Sequence, residues 1–149
     1  MNPMEGMARQ AEWVGRNIAH NLGFIPPEKL NWKPAPTAKS ALEAINHVAG
    51  FVAAMTPVLG GGQFAPPQTP PASSLKEAQD LVTSSARAYA AALRKLTLED
   101  LGRSIDLPFG SFPMSQAASM PVVDLIHHHG QIAYIQTLLG DTEDHFLIE

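Results

Sequence analysis

The sequence predicts an all-α fold, a four-helix bundle, on three observations. Four segments carry apolar residues at helical spacing. Clusters of proline and glycine separate them. Two of the segments open with a serine three residues ahead of a glutamate, the pattern of a capping box. The helices are expected near 4–23, 38–59, 74–96 and 116–140, joined up-down-down-up or in a similar order with one long crossover loop. A chain of 149 residues suits one domain over 1–149.

The first helix should run from about Met4 to Leu22, because Gly23 follows it and Pro26 and Pro27 forbid continuation. The segment "LNWKPAPTAKS" is then held extended by its two prolines. In the second helix, "SALEAINHVAGFVAAMTPVL", Ser40 and Glu43 form the capping box; Thr37 is a rival start. Gly60 to Gly62 close it. The stretch "GGGQFAPPQTPPASS" reads as a long loop. Ser74 and Glu77 open the third helix, whose alanine-rich "SSARAYAAALRKL" is strongly helix-forming. A connector follows, with a short extended piece expected at Ile105 to Leu107. The fourth helix spans roughly Gln116 to Leu139 with Gly140 as its cap, and Pro121 either bends it or marks its first turn.

Composition narrows the function. Hydrophobic residues make up 45% and charged ones 16%, a globular balance. Ten lysines and arginines against 14 aspartates and glutamates give a net charge of -4, which argues against a nucleic-acid partner. With no cysteine, disulfides, thiolate metal sites and a cysteine nucleophile are excluded. The N-terminal "MNPMEGMARQAEW" has no apolar run of signal-peptide length, and "VAGFVAAMTPVL" is short and broken by Pro57. The expectation is a cytoplasmic protein with no membrane partner.

The run "PVVDLIHHHGQIAYIQTLLGD" places three histidines inside an apolar helix. At 100° per residue, Leu125, Ile132, Ile135 and Leu139 fall within about 60° of His128, so His128 lies on the core face. Asp124 lies one turn before it and Gln131 nearly one turn after, while His127 and His129 flare to either side. On the second helix His47 shares a face with Ala44, Phe51, Ala54 and Val58. Buried polar groups need partners, and a buried carboxylate needs a cation or a proton. A divalent cation held by His47, Asp124 and His128 satisfies all three together. Two imidazoles and a carboxylate suit nickel, zinc, iron or manganese. A buried Asp–His pair bridging helices without metal is the simpler alternative. Glu43, at i−4 from His47, is better explained as a cap. Gln131 is a candidate to orient a ligand from behind, or to hydrogen-bond across helices. Gly130 is expected to permit close helix packing. Neither two Glu-x-x-His motifs nor His-Glu-x-x-His is present, which sets aside di-metal carboxylate bundles and zincins.

These stretches resemble the DinB/YfiT-like superfamily of metal-dependent enzymes. Its entry motif appears as Trp32, Lys33, Pro34, Pro36, Ser40, Glu43 and His47, and its last helix as His128, His129, Gly130 and Gln131. The family's usual first histidine on that helix falls at Asp124, so a three-histidine site becomes two histidines and one carboxylate. The resemblance implies a divalent metal, nickel or zinc before iron or manganese, that activates a thiol or water. Thiol transferases using bacillithiol or mycothiol, and a thiol-dependent isomerase, are among such relatives. Lacking cysteine, this chain would take the small thiol as a cosubstrate. The reading is a metal-dependent S-transferase or hydrolase acting on a small molecule. The alternative is a non-catalytic, stress-related binding or structural bundle with a vestigial or absent metal site. A homodimer is also expected, since relatives often pair through helices and Trp13, Val14 and Ile18 suggest an apolar excess on the first helix.

Overall fold

The computed structural model describes residues 2–148. The first helix, α1 (Glu5–Leu22), turns Ala11, Val14, Gly15 and Ile18 inward, an i, i+3, i+4, i+7 stripe that Ala8 and Leu22 extend. Small residues on this face bring the third helix, α3 (Leu75–Leu93), very close: a Cβ at Gly15 would lie 2.6 Å from the Cβ of Ala86. The second helix, α2 (Ala41–Leu59), starts where the capping box sets it. Ser40 Oγ accepts from the Glu43 amide at 3.2 Å, and Glu43 Oε2 accepts from the Ser40 amide at 2.9 Å. Thr37 is therefore not the start.

Cross-helix partners give the directions. Gln79 reaches Ala19 while Arg94 reaches Glu12, so α1 and α3 are antiparallel. Along α2 and α3 the pairings instead advance together, from Asn46 near Leu81 to Leu59 near Leu96. Those two helices are parallel, and the chain must return along the bundle between them. The proline-rich stretch 60–74 does this. A 19-residue helix is about 28 Å long, which an extended polyproline-like chain covers in about nine residues. Asn46 pins the return by donating to the Ala72 carbonyl at 2.9 Å and accepting from its amide at 2.8 Å. At the start of α3, Ser74 caps the Glu77 amide as expected. The Glu77 carboxylate, however, accepts from both the amide and hydroxyl of Ser73, two donors where a closed box offers one.

The connector holds more structure than expected. Thr97 and Asp100 form a further capping box on a one-turn helix, α4 (Leu98–Gly102). The extended piece at Ile105 becomes one arm of a hairpin, β1 (Ser104–Leu107) with β2 (Gly110–Pro113), turning at Pro108 and Phe109. Gly110 has φ 145°, a value that side-chain-bearing residues rarely adopt. The expected fourth helix is two: α5 (Met114–Ala117) and α6 (Met120–Leu138). At the break the buried Tyr89 hydroxyl donates to the Ala118 carbonyl at 2.8 Å. Pro121 sits in the first turn of α6, where a missing N–H breaks no intrahelical bond.

Helix α6 packs against α1 and α2, and Asn21 meets Gln136 at the α1 end. The order is up-down-down-up, with one core among the four long helices. Of the described helices, Ala41–Leu59 has the length and hydropathy to cross a membrane, and its apolar face is spent on this core. Val14 and Ile18 are buried too, and Trp13 is covered by the C-terminal tail: Phe146 meets its ring edge-on and Leu147 accepts from its indole N–H. The apolar excess read on α1 is thus consumed within the chain.

Candidate metal centre

Because α2 and α6 run antiparallel, His47 and His128 face one another across the bundle with ring centroids 5.2 Å apart. Asp124 stands one turn before His128 on the same face. One ligand atom from each of His47, Asp124 and His128 lies within 4.8 Å of the others, so small side-chain rotations let one cation reach all three. His128 is the buried member, 3% exposed; Asp124 is half-buried; His47 opens to solvent at the rim. The helical wheel had placed His47 among apolar neighbours. The structure puts it at the edge of that face, where a cavity begins.

The donor set could hold a cation. A carbonyl oxygen can only accept, so the 2.9 Å contact between His128 Nδ1 and the Asp124 carbonyl fixes the proton on Nδ1 and leaves the Nε2 lone pair for coordination. Asp124 Oδ1 lies 3.3 Å from the same Nδ1. Its other oxygen, Oδ2, is buried with no hydrogen-bond partner. An orphaned buried acceptor costs about 1–3 kcal/mol, more when charged, and a divalent cation removes that cost. Burial, then the neighbouring His128, pushes the proton affinity of His47 down, which keeps it a neutral donor. At His128 burial also acts downward, but the hydrogen bonds and charge of Asp124 outweigh it, and the net shift is upward. The negative field that holds a proton there also favours a cation.

The histidine triplet divides into three roles. His127 is exposed, edge-on to His128, and its Nε2 meets Gln131 Nε2 at 3.0 Å. Gln131 therefore engages His127 and not one of the three candidate ligands. His129 points the other way, its Nε2 donating to Asn21 Oδ1 at 2.8 Å, and Asn21 in turn donates to Gln136. Burial holds its proton affinity down, as suits a neutral ring in a polar bridge between α1 and α6. Gly130 does not mediate packing: it is exposed, and a Cβ there would meet nothing within 4 Å. Glu43 lies outside the cluster, holding Lys33 at 2.7 Å as well as its cap.

Two cavities meet at the trio. One, of about 520 Å³, lies under the entry segment and is lined by Thr37, Lys39, Gln131 and Tyr134 as well as the three candidate ligands. The other, of about 550 Å³, is more apolar, with Phe51, Met120 and Val123. His47, Asp124 and His127 border both. Sequence reasoning missed Thr37 and Lys39, whose positions precede α2 and lie off any helical wheel. Tyr134 lies about 120° from His128 on the helical wheel, yet it lines the cavity wall.

The model of the DinB superfamily matches residues 10–132 of this chain. The Bacillus subtilis (strain 168) protein YjoA is 28% identical over 132 residues, 86% of each chain. The crystal structure of that DinB-like protein superposes with a TM-score of 0.76 at 23% identity, covering 93% of this chain and 94% of its own. A conserved Enterococcus faecalis protein gives 0.76 at 15% identity over 95% and 99% of the two chains. A DinB-like protein from Bacillus cereus gives 0.72 at 21% identity over 94% and 95%. Helix order, the facing histidines and a family match over most of the length lead to one assignment: the chain belongs to the DinB superfamily.

Proposed function

We propose that this protein is a metal-dependent enzyme that joins a small thiol to a small electrophile, with water able to take the place of the thiol. The observation that carries the reading is the unpartnered Oδ2 of Asp124, buried beside two imidazoles where two cavities meet. A divalent cation bound there supplies Lewis acidity, which lowers the proton affinity of a thiol or water placed against it. His47, Asp124 and His128 would hold it with three donors, which leaves coordination positions for a reactant. Nickel and zinc suit the two imidazoles best, and the carboxylate also admits iron or manganese. The polar cavity receives one reactant and the Phe51 side the other, which fixes their approach. In the transfer a sulfur–carbon bond forms, the bond from that carbon to its leaving group breaks, and the thiol proton passes to solvent through the open cavity.

The test uses protein reconstituted with nickel, zinc, manganese or iron(II), a panel of small thiols, and 1-chloro-2,4-dinitrobenzene as electrophile. Thioether formation and chloride release should require both metal and thiol and should fall to background in Asp124→Asn. A p-nitrophenyl ester without thiol measures the hydrolytic branch. Metal-loaded native protein no faster than Asp124→Asn in both assays would overturn the proposal.

A further inference from the structure

Lys39 lines the same cavity as His47, Asp124 and His128, and among the described residues it is the only lysine or arginine on that wall. The entry segment carries two lysines near α2, and they are not equivalent. Lys33 is neutralised by Glu43 at 2.7 Å. Among the described residues, no carboxylate comes within ion-pair distance of Lys39, although Glu43 feels its charge more weakly than that of Lys33. Its backbone is not loose, since the next residue is the buried N-cap Ser40, bonded in both directions to Glu43.

Among the described residues Asp124 is the only acid lining the cavity, and on the metal reading above its unpartnered oxygen would go to the cation. Beside His127, the polar wall also carries the uncharged hydrogen-bonding groups of Thr37 and Gln131, with Tyr134 at its edge. Two neutral imidazoles, one carboxylate, a divalent cation and one lysine sum to a positive wall on a chain whose net charge is -4. A cleft whose sign opposes that of its protein concentrates ligands of the other sign.

We propose that Lys39 is a specificity-determining residue that binds a carboxylate on the substrate, whose other end is directed to the His47–Asp124–His128 centre. The inference rests on the metal reading above. It adds the substrate class: a small acid with a metal-seeking group at the opposite end. A cavity of about 520 Å³ accommodates such a molecule.

The experiment titrates cobalt(II)-loaded full-length protein with two probes, read by the visible cobalt spectrum and by calorimetry. Acetohydroxamate carries a metal-binding group and a neutral tail; succinohydroxamate carries the same group and a carboxylate tail. The native protein should prefer the succinyl probe by on the order of tenfold, as a partly exposed charge-assisted contact gives. That preference should shrink at high salt. Lys39→Met should abolish the preference, weakening succinohydroxamate far more than acetohydroxamate. Lys39→Arg should restore it, and Lys33→Met should keep it. Equal affinities in native protein, or a preference that survives Lys39→Met, overturn the proposal while leaving the metal reading in place. A native protein that takes up no cobalt overturns both.

Discussion

His128 donates through Nδ1 to the main-chain carbonyl of Asp124 one turn earlier, at 2.9 Å. One helical residue thereby fixes the tautomer of another and also supplies a carboxylate on the same face. The consequence is that His128 and its two flanking histidines should respond differently to mutation. Metal content after dialysis, measured by mass spectrometry, should collapse in His47→Ala and His128→Ala, with affinity down by more than about 100-fold, the upper range seen when only an outer partner is lost. His127→Ala and His129→Ala should retain metal. His129→Ala should instead lower stability by about 1–3 kcal/mol, because Asn21 Oδ1 loses its donor.

Metal should stabilise the fold. At a free concentration 100 times Kd, the gain is about 2.7 kcal/mol. For a chain of this length that raises Tm by roughly 5–10 °C in differential scanning calorimetry. Asp124→Asn should show little of that rise. An equal rise in both proteins would place the bound metal elsewhere.

Two glycines should behave in opposite ways. Gly15→Ala forces a Cβ to 2.6 Å from that of Ala86, and an overpacked contact of this kind costs about 1–3 kcal/mol, more than the roughly 1 kcal/mol that alanine adds in helix propensity. Gly130→Ala meets nothing within 4 Å and should stabilise by up to about 1 kcal/mol. Urea denaturation of the two variants checks both signs.

Acid should weaken the α1–α3 contact. Arg94 binds Glu12 at 2.7 Å and Glu5 at 3.0 Å, and its hydrogen bonds hold both carboxyls below their ordinary value of 4.5. A carboxylate depressed in the folded state stabilises above its unfolded value, and that contribution disappears as pH falls through the folded one. Arg94→Met should therefore have a lower Tm than native protein at pH 7. The gap should close below about pH 4.5 as these carboxyls take up protons. A gap that stays constant from pH 7 to pH 3 would show that Arg94 acts through packing alone.

Much of the architecture was legible in the residues because it rests on local rules. Apolar spacing and punctuation located four long helices, and Ser40 with Glu43 set the start of α2 through bonds that span only three residues. The vicinity of Asp124 and His128 followed from helical periodicity, and the wheel of the second helix offered His47, which the family motif also contains. The long return loop could be expected from its prolines. Ser74 and Glu77 open α3 as read, but the Glu77 carboxylate takes its donors from Ser73, one residue before the cap, which offers it two in the folded turn.

The remaining features depend on which segments meet. Periodicity cannot tell that α2 and α6 face one another, so the distance between His47 and His128 is decided by tertiary packing. The break before α6 is accompanied by a hydroxyl 29 residues away, on Tyr89. His129 finds its partner 108 residues away, on α1, and Trp13 is covered by a tail 134 residues away. The sequence by itself determined the helices and the chemistry they carry, because capping and periodicity are short-range. Only the tertiary structure decided which of those groups share a cavity, left Asp124 Oδ2 without a partner and brought Lys39 to the wall beside it, because burial and long-range contact exist only once the helices pack.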